Sequence, residues 1–406
     1  MSEVKIEQYD NWLKDDGPAA PAALVLTRSL LPVEGRDAWI FPPTFAKMES
    51  ADDADEGSGG VYQIDLLPND PRRNVCVIDS VGSQANRIEP IFKNPPYSDL
   101  VPQVTVQFGP RGETANLLDL GHRAADAAVR FSKTVGPQLW DAFSEYKTKR
   151  DCSKLMQIAP TSLVFGVWDS RATGVKIQRV ARSAIRAYDV VEAKRSATFQ
   201  AASDYTASGI IDEKYDKGSG KDNPLSQEGF KYSLATNTHG GVVVKGGIKQ
   251  EAIINLVALR TLTGDKKTRR YLLGLALVAL SYRDQRGFNL REGCLLCAAS
   301  EEDYEGRWHI VRFDGTSTPV KVAHDAAIEY AKGAASVFGE MQNISDEFDS
   351  QTANKWLGIE KKKRKMLAKT KHPTKALADE ASQSGPQNAP VTGAGKHDGL
   401  NPGAVS

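Results

Sequence analysis

Residues 74–90 read NVCVIDSVGSQANRIEP. The β-branched run at 75–78 makes a short strand. Asp79 or Ser80 then caps a helix that Pro90 limits. Within that helix Val81, Ala85 and Ile88 fall at i, i+4 and i+7 on one face, while Ser80, Gln84 and Arg87 share another. A solvated helix face favours Glu and Lys. This one shows serine, glycine, amides and a single arginine.

Working outward, strands and helices mingle without a regular βαβ period, which favours α+β over a doubly wound parallel sheet. ALVLTRSLLPVEG (23–35) is a first strand ended by Pro32 and Gly35. VTVQF (104–108), TSLVFGVWDS (161–170), SAIRAYDVVEA (183–193), GCLLCAASE (293–301) and WHIVRFDG (308–315) read as further strands. Amphipathic helices are expected at 116–132, 136–159, 249–262, 268–283 and 322–341. Two long irregular regions, near 36–74 and 194–247, read as inserted functional loops, the second as a protruding hairpin or finger. The chain thus divides into an N-terminal segment (1–22), a folded domain (23–357) with insertions near 36–74, 110–157 and 194–247, and a basic, disordered tail (358–406).

The chain has 406 residues, 25% of them charged, with a net charge of +1, which argues against a generic polyanion binder. The balance is uneven. Residues 358–406 hold nine Lys/Arg against four Asp/Glu, leaving 43 basic and 47 acidic residues elsewhere. Residues 171–195 hold seven Lys/Arg against Asp189 and Glu192. No apolar run reaches the roughly 20 residues a bilayer needs, and MSEVKIEQYDNWLKDDG resembles neither a signal nor a transit peptide. Four cysteines indicate a reducing cytoplasm rather than a disulfide framework.

Several groupings carry chemistry. CLLC (294–297) has metal-ligand spacing, but on a strand Cys294 and Cys297 point apart, so packing is the better reading. His122 and Asp126 form either a dyad or an ordinary i,i+4 hydrogen bond, with no nucleophile motif beside them. Glu34 and Asp37 follow the first strand as loop acids. THGGVVVKGGIKQ brings Lys245, Gly246, Gly247 and Lys249 ahead of an expected helix, either a phosphate-binding helix start or a hinge. In DSRATGVKIQRVARSAIRAYDV, Arg179, Arg182 and Arg186 share a face if helical, and Arg182 with Arg186 if extended. Converging guanidiniums match phosphate oxygens.

CVIDSVGSQANRIEP, LLDLGHRAADA, APTSLVFGVWDSRATGVKIQRVARSAIRAYDV, GGVVVKGGIKQEAIINLVALRTL and YLLGLALVALSYRDQRGFNLREGCLL together resemble the backbone subunit of type I-U (also called I-G) CRISPR Cascade, a RAMP-superfamily protein. The resemblance spans roughly 23–296. It implies a ferredoxin-like, RRM-type palm with a helical insertion and a thumb or finger. It also implies copies stacked head-to-tail along a CRISPR RNA, which then pairs with target DNA. Partners would be that RNA, target DNA through the guide, further copies, other Cascade subunits and a recruited helicase-nuclease. No cofactor, metal, catalytic residue or membrane is implied.

RNA-facing roles are expected for Ser83, Gln84, Asn86, Arg87, His122, Arg123, Arg171, Lys176, Arg179, Arg182, Arg186, Lys245, Gly246, Gly247 and Lys249. Two alternatives remain at this point. Type III relatives cut RNA with an acidic residue after the first strand, where Glu34 and Asp37 fall. A stand-alone enzyme would use His122 and the glycine loop.

Overall fold

In β1 (Pro21–Pro32) every second residue from Leu24 to Leu30 is buried, and only Arg28 in that series is polar. This period-2 burial makes one face of the strand core and leaves the other half-exposed. The computed structural model describes residues 6–15, 17–46, 61–109, 111–218, 222–283 and 288–383. After β1 come β2 (Ile64–Leu67), β3 (Asp70–Asp79) and α1 (Val81–Ile88). A helical layer follows, with α2 (Val135–Lys149), α3 (Ser153–Ile158) and α4 (Pro160–Phe165). A small hairpin, β4 (Val167–Trp168) and β5 (Lys176–Ile177), leads into β6 (Ala181–Tyr188). The long arms β7 (Val190–Phe199) and β8 (Ser233–Val244) pair antiparallel and return the chain to β9 (Ile248–Asn255). Then come α5 (Leu256–Leu262), α6 (Lys266–Ser281), β10 (Phe288–Arg291), β11 (Cys294–Ala298), β12 (Arg307–Arg312), β13 (Ser317–Val320) and α7 (His324–Phe338).

The main sheet is antiparallel throughout. β1 pairs with β9, β9 with β6, and on its other side β1 pairs with β11 and β12. The unit β1, α2–α4, β6, β9, α5–α6, β11/β12 is therefore βαββαβ with spatial order 4-1-3-2. That is the expected ferredoxin-like palm. β3 adds to the free edge beside β6, with β2 outside it. This addition covers an edge that would otherwise present unpaired backbone groups.

All helices that contribute to the large core lie against one sheet face. Leu24, Leu26, Ala181, Ala252 and Ile254 pack on Leu139, Phe143, Leu163, Phe165 and the run Leu272–Leu280. From Tyr271 to Ser281 every residue of α6 is buried, which marks it as the central helix. Each such leucine contributes roughly 1.5–3 kcal/mol. The opposite face carries Val25, Thr27, Ser29, Arg182, Arg186, Lys249, Glu251 and Ile253, all half-exposed or exposed. The N-terminal segment docks on the helices through Asp10, 2.7 Å from Arg270, and through Tyr9, edge-on to the Tyr330 ring with centroids 4.8 Å apart.

Several expectations change. Residues 160–165 form a helix, not a strand, and 248–255 form a strand, not a helix. Residues 116–132 are short turns, with helix only at Ala127–Arg130. The 36–74 insertion includes β2 and the first half of β3, an edge hairpin, and its residues 47–60 lie outside the described residues. The finger expected at 194–247 is the β7/β8 hairpin with the chain that joins its arms.

The tail is not disordered from 358. After α8 (Ser350–Gly358), whose Trp356 is buried, helices α9 (Lys361–Ala368) and α10 (Pro373–Gln383) dock through Ala368 and Ala376 in the same cluster as Phe131 and Ala172. Trp140 Nε1 donates to the Ala368 carbonyl at 3.1 Å. The rest of the tail, 384–406, lies outside the described residues. Among the described residues no helix is long and apolar enough to cross a membrane.

Candidate nucleic-acid interface

The β4/β5 hairpin places Trp168 directly opposite Lys176 and Val167 opposite Ile177. Its turn is locked from inside. The buried Asp169 carboxylate accepts from the Thr173 backbone N–H at 2.8 Å and hydroxyl at 2.7 Å. Lys147 of α2 donates to the Thr173 carbonyl at 2.8 Å. Gly174 supplies the left-handed backbone (φ +76°) that closes the turn. Arg171 rides on this turn, exposed. Just before the hairpin, Gly166 also has positive φ, and a Cβ there would lie 2.6 Å from Arg179 Cγ. The glycine thus lets Arg179 cross over the hairpin's entrance.

These residues wall a cleft of about 670 Å³, together with the turn Gly121–Asp126 and Arg130. Five of the expected RNA-facing residues meet here: His122, Arg123, Arg171, Lys176 and Arg179. One of the five is a correction. Arg123 is only 4% exposed, with Nε 2.6 Å from Glu89 and its guanidinium over the Phe165 ring. It anchors the turn rather than a ligand. Burial first, then the Arg123 charge, pushes Arg179 below the ordinary arginine value. Burial does the same to Arg130, whose buried Nε has no hydrogen-bond partner. Both stay cationic at neutral pH. Arg171 and Arg179 meet no carboxylate among the described residues. The single acid lining the cleft, Asp126, sits 3.4 Å from exposed His122.

The open sheet face continues the charge. Arg182 and Arg186 share that face, as the extended reading requires. Arg186 pairs with Glu251 at 3.1 Å, Tyr188 donates to the same carboxylate, and Lys249 lies 5.6 Å from the Tyr188 ring.

The other expected residues are placed differently. Gln84 is buried. It donates to Asp79 at 2.7 Å and accepts from Ser183 at 2.9 Å and Gln250 at 3.2 Å. It cannot face RNA. Arg87 bonds Asp79 and the Leu290 carbonyl, so its charge is largely spent inside the fold. Ser83 is half-buried, its N–H capped by Ser80. Asn86 and Arg87 are the exposed residues of the four, and Asn86 accepts from Arg123 at 3.3 Å.

Lys245, Gly246 and Gly247 form the bend from β8 into β9, so no helix start receives a phosphate there. A Cβ on Gly246 would lie 2.8 Å from the Tyr188 carbonyl, which accounts for the glycine by backbone approach. Glu34 and Asp37 are exposed loop acids. Cys294 is buried and Cys297 exposed, pointing apart as a strand requires, and no group of three or more metal-ligating side chains occurs among the described residues.

Residues 24–192 match the model of a family described as CRISPR-associated protein GSU0053. Over that stretch the chain is similar to this CRISPR-associated family. The matched stretch holds β1, β3, α1, the cleft and β6. A chain of a solved structure described as "CRISPR RNA-guided surveillance complex, pre-nicking" aligns over 88% of this chain and 99% of its own, at 13% identity and a TM-score of 0.28. So distant a superposition adds nothing to the topology already described. No curated protein matches the sequence. Two cleft residues, Trp168 and Arg130, are not readable in advance. The sequence shows Trp168 only as part of an apolar run, and its exposure follows from the hairpin.

Proposed function

We propose that the chain is a non-catalytic, guide-RNA-binding backbone subunit of a type I-U/I-G Cascade, acting in antiviral defence in the prokaryotic cytoplasm. The observation that carries this reading is the basic cleft with the adjoining sheet face. There Arg130, Arg171, Lys176 and Arg179 line one cleft beside a small hairpin, with Asp126 the acid in the lining and Asp169 buried in the hairpin's turn, and Arg182 stands exposed on the adjoining sheet face. Guanidiniums and ammoniums so placed neutralise phosphates without reading bases. Base pairing then supplies sequence while the protein holds shape. Head-to-tail copies along the RNA fit a heterologous interface, which leaves a filament open. The outstretched β7/β8 hairpin, with Phe199, Leu234 and Tyr232 exposed, supports contact with a neighbouring copy.

The test is Arg171→Ala, Arg179→Ala and Arg182→Ala together. Affinity for unrelated single-stranded RNAs should fall alike. The slope of log affinity against log salt should shrink by about 2, at roughly 0.7 per lost phosphate contact. A sequence-selective loss, or an unchanged slope, overturns the phosphate grip.

A further inference from the structure

We propose that Trp168 is the stacking platform for one unpaired nucleobase of the strand held in the cleft, which deepens and rests on the RNA-binding reading above. An indole is among the largest apolar groups a fold can bury. Here it stands 60% exposed inside a basic cleft rather than in the core. Its exposure is not slack in the chain. The β4/β5 pairing, the Asp169 turn lock and the Lys147 tether hold the hairpin rigid. The ring is therefore preorganised at little entropic cost on binding.

The surroundings match one nucleotide unit. Lys176, cross-strand from Trp168, has its ammonium 5.5 Å from the ring centroid. Arg171 and Arg179 flank the same cleft and offer donors to the phosphates on either side of a stacked base. A cleft of about 670 Å³ falls within the usual range for small-ligand sites. An aromatic ring among cations is the recurring arrangement for single-stranded nucleic acid, because every base has a π-face. The base is held by stacking, so its identity matters little.

The experiment uses the full chain and two fluorescein-labelled single-stranded RNAs of equal length, one normal and one with abasic sites throughout. Wild type should bind the normal RNA about tenfold more tightly than the abasic one. Trp168→Ala should lose about tenfold on the normal RNA and nothing further on the abasic RNA. Trp168→Phe should keep most of the affinity, which separates a stacking ring from a folding defect. Equal losses by Trp168→Ala on both RNAs, or no loss on either, overturn the platform while leaving salt-sensitive phosphate binding in place. If wild type shows no salt-sensitive binding to either RNA, the guide-binding reading falls and takes the platform with it.

Discussion

Gln84 sits where two apolar clusters meet. On the helix-facing side of the sheet, Leu24, Leu26, Ala252 and Ile254 belong to one cluster, and Leu30, Ile248, Ile185 and Ala187 to the other. Between them lies a buried polar layer of Arg28, Gln250, Ser183, Gln84 and Asp79. Arg28 donates to Gln250 at 2.9 Å, and burial pushes its guanidinium down to about 10. Such a layer stabilises only while each member keeps its partner. Gln84→Ala removes Asp79's buried donor and the shared acceptor of Ser183 and Gln250. Losing these should cost about 2 kcal/mol, read as a lower urea midpoint at unchanged m. RNA affinity of the folded variant should stay at the wild-type level. A drop in affinity without a drop in stability would put Gln84 at the RNA after all. The amides in SVGSQANR thus serve the interior, and only Asn86 keeps the outward role first read for them.

At the scale of elements, the hairpin entrance is the fragile point. Gly166 has φ +79°, and a Cβ there would meet Arg179 Cγ at 2.6 Å and the Ile177 carbonyl at 3.1 Å. Gly166→Ala therefore combines backbone strain with a displaced Arg179. We expect about 1–3 kcal/mol of destabilisation and a weaker, less salt-sensitive grip on RNA. Normal RNA affinity in this variant would show that Arg179 binds nothing. The strand β1 was legible as an apolar run bounded by Pro32 and Gly35, β6 by the alternation at its start, helices α2 and α7 by their apolar period, and α6 by an apolar run too long for a strand. The misreadings have specific causes. In β9 the inward series is Ile248, Gln250, Ala252, Ile254, and a buried glutamine breaks the apolar alternation. Residues 160–165 are buried throughout, and a short run apolar on all sides shows no period to separate helix from strand. In the C-terminal helices the buried contacts are alanines and a histidine, too small a signal beside KKKRK. The cleft was half legible: its cations stood out by charge, whereas Trp168 and Arg130 became site residues only through the turn geometry.

Across the whole molecule, a half-buried and a buried histidine join layers that the palm alone would leave apart. His324 lies 2.8 Å from both the Tyr97 and Ser281 hydroxyls, tying the start of α7 to the end of α6. His372 bonds the Arg130 carbonyl through Nε2 at 2.9 Å and accepts from the Thr374 N–H through Nδ1 at 3.3 Å, tying the C-terminal helices to the cleft wall. Burial, as the leading cause, lowers the pKa of both below the ordinary histidine value. For His324 the Arg283 charge adds to this, and for His372 the Arg130 hydrogen bond opposes it. The unfolded chain then takes up protons near pH 6.5 that the native state refuses. Stability conferred by the neutral rings is full above that pH and is lost as pH falls toward the depressed native values. The slope is at most about 1.4 kcal/mol per pH unit for each histidine. His372 is the sharper joint, because a protonated Nδ1 would point its hydrogen at the Thr374 N–H, whereas hydroxyls beside His324 can rotate. Burial also pushes the Glu89 carboxyl up to about 7, which acts in the opposite sense over the same range, so the histidine contribution to the melting temperature between pH 7 and pH 5 is read as the difference between wild type and a His372 variant. His372→Gln should start lower at pH 7 and fall less steeply. An identical slope in the variant would place the acid sensitivity elsewhere. Because the carbonyl that His372 holds belongs to Arg130, acid should loosen the C-terminal helices and weaken RNA binding together in the wild type.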